Sequence, residues 1–191
     1  MVGSVAALLG GVLAFASFAG GGAPSPAAGE IVAAFQSLCG SGDPSPEAVL
    51  ARADAKGWIR NGQDMRGLDP RRDRVRRTPK SVLFLHAATS ATAGEKQDTC
   101  GVSIHKAVEG LVPSTAGWLG FSPSPSFDRS ATFFAVRNQE KWRSGAALDR
   151  AAFKLEKEQG RFYSIVALTG GDSVSLMWLR AYPADSGARA P

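Results

Sequence analysis

The longest uncharged stretch of the chain lies at its amino terminus, and it indicates the compartment in which the rest of the chain folds. No charged side chain occurs from Met1 to Ala28, and residues 5–19 form one apolar block, VAALLGGVLAFASFA. A secretory signal has an apolar run of roughly 7–15 residues followed by small residues at the cleavage site. Ser17 and Ala19 supply such a site. We therefore predict a signal peptide over residues 1–19, with cleavage as late as residue 28 as an alternative.

The apolar block has a second interpretation, an uncleaved membrane anchor. A transmembrane helix needs about 20 apolar residues, whereas residues 5–19 are fewer and include two glycines. The sequence therefore favours a periplasmic or secreted protein with no transmembrane span in its mature form. Anchoring in the inner membrane through residues 5–19 is the alternative.

The cysteine content agrees with an exported protein. Cys39 and Cys100 are the only cysteines in the chain, and in an exported protein two thiols usually form one disulfide. A bridge that closes a loop of about 60 residues stabilises a fold by roughly 4 kcal/mol in the chain-entropy model. Neither cysteine has the C-x-x-C spacing of redox enzymes. We predict a structural Cys39–Cys100 disulfide, with two buried free thiols as the alternative.

Composition divides the chain after the apolar block into three parts. Glycine, alanine and proline dominate residues 20–29, which predicts a flexible linker. Residues 30–183 carry helix and strand patterns over one domain's length. Residues 184–191 follow the last such pattern and are predicted to be a disordered tail.

Four segments have helical signals. Ile31, Phe35 and Leu38 recur at helical spacing and predict a first helix over residues 29–39. Ser45 and Pro46 then start a second helix, as an N-cap and a first-turn proline. Two further helices are predicted over residues 112–119 and 145–159, and for the latter a strand is the alternative.

Strand signals occupy most of the remaining chain. Apolar or alternating runs cover residues 81–87, 99–105 and 131–137. A hairpin is predicted from residues 161–169 and 173–182, which are joined by Gly-Gly-Asp. The order of elements predicts an α+β fold, in which two N-terminal helices pack on a four- to five-stranded, mainly antiparallel sheet.

The positive charge of the chain is concentrated in one segment. The formal net charge is +5, and residues 61–80 hold seven basic and three acidic side chains. This segment has no apolar period, which predicts a surface loop, and residues 89–98 are predicted to be a second polar loop. Guanidinium groups match phosphate and carboxylate groups in a bidentate geometry. The candidate anion-binding residues are Arg71, Arg72, Arg74, Arg76, Arg77 and Lys80.

The partners that such a segment fits are an anionic lipid, an acidic envelope polymer or an acidic protein. Nucleic acid is not expected, because no base-stacking aromatic residues are interleaved with the arginines. A solvated loop whose arginines pair with nearby aspartates is the alternative, since runs of charge usually do no more than face water.

The chain has only two histidines, His86 and His105. A hairpin of the first two predicted strands places His86 opposite Cys100 and His105 opposite Ser81, which separates the two histidines by about 17 Å. At that distance they cannot bind one metal ion, so we predict no metal site and no cofactor.

No catalytic set emerges from the sequence. Ser103 stands two residues before His105, but it lacks the strand-to-helix turn of a nucleophile elbow. The sequence thus predicts an exported, disulfide-stabilised, non-catalytic envelope protein that binds an anionic surface or a protein partner. The alternative is a periplasmic hydrolase that uses His86 or His105 with a nearby serine or acid.

Overall fold

The described part of the chain forms one antiparallel sheet with helices against both of its faces. The computed structural model describes residues 25–60, 68–92, 94–125 and 129–185. The helices within these ranges are α1 (Pro26–Leu38), α2 (Pro46–Ala55), α3 (Leu111–Leu119) and α4 (Arg150–Glu158). The strands are β1 (Ile59–Arg60), β2 (Asp73–Arg77), β3 (Val82–Thr92), β4 (Glu95–Ile104), β5 (Ser130–Asn138), β6 (Lys141–Ser144), β7 (Phe162–Leu168) and β8 (Val174–Pro183).

The sheet has the strand order β1-β2-β3-β4-β8-β7-β5-β6, and each neighbouring pair is antiparallel. Its longest ladders, β3–β4 and β4–β8, lie at the centre. The two outermost strands, β1 and β6, have two and four residues. Such short edge strands offer little free backbone for pairing with another chain.

The core lies between the sheet and the first helices. α1 buries one stripe that includes Ile31, Phe35 and Leu38, at the spacing of a single helix face. This stripe packs on what we call the helix-covered face of the sheet, whose side chains come from alternate positions of the central strands. Fully or almost fully buried residues on this face are Leu83, Leu85, Val102, Ile104, Ile165, Leu176 and Trp178.

Serine–proline pairs set the start of both N-terminal helices. The hydroxyl of Ser45 accepts a hydrogen bond from the Ala48 amide, as its N-cap pattern predicts. Ser25 caps α1 in the same way, so α1 begins three residues earlier than the predicted residue 29. Residues 26–29, which fall in the predicted linker, are therefore helical.

The predicted disulfide is confirmed and ties the helical layer to the sheet. Cys39 follows the last residue of α1, and it is bonded to Cys100 on β4 with a Cα–Cα distance of 5.8 Å. Both cysteines are fully buried. Beside them, the indole N–H of Trp178 donates to the carbonyl of Cys39 at 2.9 Å, so the end of α1 is held both covalently and by a hydrogen bond.

The α+β class is confirmed, but the predicted arrangement has too few strands and helices. The sheet has eight strands rather than four to five, and the described ranges contain α3 and α4 in addition to the two N-terminal helices of the predicted arrangement. Both predicted loops contribute to strands: residues 73–77 form β2, and residues 89–92 and 95–98 extend β3 and β4. Several of their polar side chains are matched across the sheet, namely Asp73 with His86, Thr89 with Asp98, and Asp98 with Arg180, so these strands need no local apolar pattern.

The carboxy-terminal half follows the sequence more closely. The predicted hairpin is confirmed as β7 and β8, with Ile165 opposite Trp178. The predicted segment 145–159 contains α4 rather than a strand, and the Asp149 side chain caps it by accepting from the Ala152 amide at 2.8 Å. α4 lies on the sheet face opposite α1, where Phe153 packs edge-on against Phe162.

Several predictions concern residues outside the described ranges. The predicted signal peptide, residues 1–19, lies there, as do residues 20–24 of the linker and 186–191 of the tail. No helix in the described ranges is both long and apolar enough to cross a bilayer.

Candidate functional site

The basic segment is built around β2 and not around a loop. Five of its six predicted anion-binding side chains are exposed to solvent, and we call these five the basic edge. They are Arg71, Arg72, Arg76, Arg77 and Lys80. Arg71 and Arg72 precede β2 and are 91% and 57% exposed, each within 4 Å of a carboxylate oxygen of Asp69. Such exposed pairs contribute little binding energy.

Arg74, the sixth predicted anion-binding residue, does not belong to this exposed surface. Its side chain is 4% exposed and forms an ion pair with Asp54 of α2 through both Nε and Nη2. The hydrogen bond from Arg74 lowers the pKa of the Asp54 carboxyl below its ordinary value, despite the opposing effect of partial burial. Arg74 therefore joins α2 to the sheet.

The other end of β2 presents cations that have no ion-pair partner among the described residues. Arg76 is paired with Leu83 and Arg77 with Val82, so the two side chains lie towards opposite faces of the sheet. β1 pairs only with Arg74 and Val75, and it stops short of both. Within the described part of the chain, Arg76, Arg77 and Lys80 form no ion pair.

A histidine–aspartate pair lies next to the basic edge. Nδ1 of His86 on β3 is 2.7 Å from Oδ1 of Asp73, its register partner on β2. The other carboxylate oxygen of Asp73 accepts from the backbone amide of Asp69 at 2.6 Å. Asp73 is 9% exposed and His86 is 50% exposed, so a buried carboxylate holds a solvent-accessible imidazole.

The position of His86 corrects the predicted strand register. His86 pairs with Gly101, and it is Ala87 that lies opposite Cys100. Because side chains alternate between the two faces of a sheet, this shift of one residue turns His86 away from the helix-covered face. The imidazole is thus outside the core and open to solvent.

Both histidines line one cavity of about 370 Å³ on the face opposite α1. The ring of Phe84 packs edge-on against His105, with 4.7 Å between ring centroids. Ser103 lines the same cavity from β4, one diagonal position from His86. Across the described ranges, no group of three His, Cys, Asp or Glu side chains is placed to bind a metal ion.

Sequence reasoning missed Asp73 as a functional candidate because it treated residues 61–80 as one loop. The usable signal was Val75, an apolar residue between charged neighbours that marks alternation along a strand. With β2 recognised, antiparallel pairing to β3 would have placed Asp73 beside His86.

Comparisons with known proteins add no assignment to this geometry. No family model, no curated protein and no solved structure matches the chain. The function therefore has to be argued from the site alone.

Proposed function

We propose that this chain is an exported, disulfide-stabilised, non-catalytic envelope protein that binds an anionic lipid surface through its basic edge. The observation that carries the proposal is the cluster of Arg76, Arg77 and Lys80, which are exposed and form no ion pair within the described ranges. Cations that have no ion-pair partner among the described residues can meet external anions. The apolar block at residues 5–19 and the Cys39–Cys100 disulfide support the exported location.

The arrangement of these cations suits a surface better than a small ligand. Arg76 and Arg77 are placed towards opposite faces of the sheet, and Lys80 follows in the turn to β3. These three side chains therefore lie along one edge of the sheet and do not converge on one point. Each Lys or Arg close to an anionic membrane contributes about 1 kcal/mol, and salt screens the interaction.

Neutralising Arg76, Arg77 and Lys80 of the basic edge is expected to abolish most of the binding to anionic lipid. In the triple variant Arg76→Gln, Arg77→Gln, Lys80→Gln, affinity for vesicles of equal parts phosphatidylglycerol and phosphatidylcholine should fall on the order of a hundredfold. Sedimentation of protein with vesicles at two salt concentrations measures this. Competition by a soluble polyuronate tests whether an acidic polymer binds the same residues.

A matched control removes three exposed cations that lie outside the basic edge. Lys141 of β6 and Arg150 and Lys154 of α4 are exposed, and replacing all three with glutamine changes the net charge equally. We expect this variant to lose much less affinity. Equal loss in both triple variants would mean that net charge, and not the basic edge, governs binding, and it would rule out the proposal.

The Asp73–His86 pair favours a second candidate, a hydrolase in which His86 is the general base. An aspartate that binds Nδ1 of a histidine fixes the ring orientation and leaves Nε2 to accept a proton from water or from a serine hydroxyl. Ser103 lines the same cavity and is the candidate nucleophile.

This candidate predicts unequal effects at the two histidines. If wild-type protein hydrolyses any substrate in a panel of carboxylic and phosphoric esters, His86→Gln should reduce kcat/KM on the order of a hundredfold or more. His105→Gln should change it only a few-fold, because His105 has no carboxylate partner among the described residues. Absence of turnover, or turnover that survives His86→Gln, excludes the hydrolase.

A further inference from the structure

A row of buried polar side chains crosses the helix-covered face of the sheet, far from the basic edge. Asp98 of β4 pairs with Arg180 of β8, and Tyr163 and Arg137 continue the row on β7 and β5. All four residues are at most 7% exposed. Burying charged groups this close together costs free energy unless each charge is paired. The row ends at an open cleft.

The cleft has a volume of about 200 Å³. Tyr163 and Arg137 are buried residues of its lining, and we call them its floor; Arg161 lines the cleft beside them. The rim carries two carboxylates, Asp43 from the loop between α1 and α2 and Glu140 from the turn between β5 and β6. Both rim residues are exposed. Positive charge at the floor is thus combined with negative charge at the mouth.

The floor and the neighbouring Arg161 place hydrogen-bond donors at the cleft. Arg137 donates Nε to the carbonyl of Gln139 and Nη2 to the carbonyl of Gly42, both at 2.8 Å. Arg161 donates Nε to Glu156 at 2.8 Å, and among the described residues its two terminal nitrogens form no hydrogen bond. Burial raises the pKa of the Tyr163 phenol, against the opposing effect of its hydrogen bonds with Arg180 and Arg137, so the phenol stays protonated at neutral pH.

The two sides of the mouth are clamped together before any ligand arrives. The Gly42 amide donates to Oε1 of Glu140 at 3.0 Å, and the same oxygen accepts from Arg137. Gln139 in the turn has a φ of 55°, a left-handed conformation that costs energy for a residue other than glycine. Strain of this kind persists where surrounding contacts fix the backbone. Here the hydrogen bonds from Gly42 and Arg137 hold Glu140 beside the cleft.

We propose that this cleft binds a small zwitterion of the free α-amino acid type. Its carboxylate meets Arg161, Arg137 and the Tyr163 hydroxyl at the floor, and its ammonium group meets Asp43 and Glu140 at the rim. A dianion such as phosphate is repelled by the rim carboxylates, and a plain carboxylate gains nothing from them. The cleft lies on β5 and β7, so this site is independent of binding at the basic edge.

Tryptophan fluorescence gives a direct measurement. Trp142 packs edge-on against Tyr163 with 5.1 Å between ring centroids, and the guanidinium of Arg137 lies 5.6 Å from its ring. Occupation of the floor should therefore change Trp142 emission. In titrations of the full chain, L-alanine should bind at least tenfold more tightly than acetate, and inorganic phosphate should bind more weakly than acetate.

Two variants and a control test the assignment. Arg161→Gln and Asp43→Asn should each weaken L-alanine binding about fivefold or more. Arg143→Gln should not, because Arg143 pairs with the same Glu156 but does not line the cleft. If Arg161→Gln does not fold, amide chemical shifts of Gly42, Glu140 and Arg161 in wild-type protein provide the readout. The proposal is wrong if L-alanine causes no saturable change, or if acetate or phosphate binds as tightly as L-alanine.

Discussion

Replacing both Cys39 and Cys100 with alanine is expected to lower the free energy of unfolding by about 4 kcal/mol. The bridge spans a sequence separation of 61 residues, so its loss releases a long loop in the unfolded chain. It also frees the end of α1 from β4, where both sulfur atoms are buried in the core. With a urea dependence typical of small proteins, the unfolding midpoint should fall by about 2 M.

Reductant supplies the matched control for this prediction. Dithiothreitol should shift wild-type protein towards the midpoint of the double variant, and it should leave the variant unchanged because the chain has no other cysteine. Double alanine replacement is preferred to a single change, since one remaining thiol could form bridges between molecules. Coincident urea curves for oxidised wild type and double variant would show that the disulfide does not stabilise the fold.

Asp98→Asn, on the helix-covered face, should lower the free energy of unfolding by about 3 kcal/mol. Asp98 is 1% exposed, pairs with the guanidinium of Arg180, and accepts from the hydroxyls of Thr89 and Tyr182. Nε of Arg180 is buried with no hydrogen-bond partner in the described part of the chain. Without the Asp98 charge, Arg180 would be a buried cation with no counter-charge.

Two further variants separate loss of the counter-charge from general damage. Asp172→Asn, in the exposed turn between β7 and β8, changes the same chemistry on the surface and should alter stability by less than about 0.5 kcal/mol. Adding Arg180→Met to Asp98→Asn removes the uncompensated cation and should restore part of the lost stability. If the double variant is as unstable as the sum of the single losses, the ion-pair explanation fails.

Those elements whose signals are local could be predicted from the sequence. Ser45 and Pro46 define the start of α2 by their own side chains, and the Gly-Gly-Asp turn defines the β7–β8 hairpin. The disulfide was predictable because two cysteines allow only one intramolecular bridge. Each of these predictions rests only on adjacent residues or on the number of cysteines in the chain.

The missed elements depend on partners that are distant in sequence. β2 contains four charged residues in DRVRR, and it is a strand because Asp54 neutralises Arg74 and His86 binds Asp73. The extension of β4 to Glu95 buries Asp98, which is tolerable only beside Arg180. No local sequence pattern reveals such a partner. The polar composition of these segments therefore predicted loops, whereas tertiary pairing makes them strands.

The candidate site was predictable only in part for the same reason. The exposed members of the basic edge follow from composition, but the loss of Arg74 to an interior ion pair does not. A one-residue error in register also placed His86 on the wrong face of the sheet and so hid its pairing with Asp73.

Export into an oxidising compartment underlies the proposed function, and cell fractionation tests it directly. Cells that make the protein are fractionated under thiol-alkylating conditions, and the mass of the intact chain is determined in each fraction. We predict a chain shortened near residue 19, outside the cytoplasm, with Cys39 and Cys100 joined and unalkylated. A full-length chain in the cytosol with both cysteines alkylated would show that the protein is not exported.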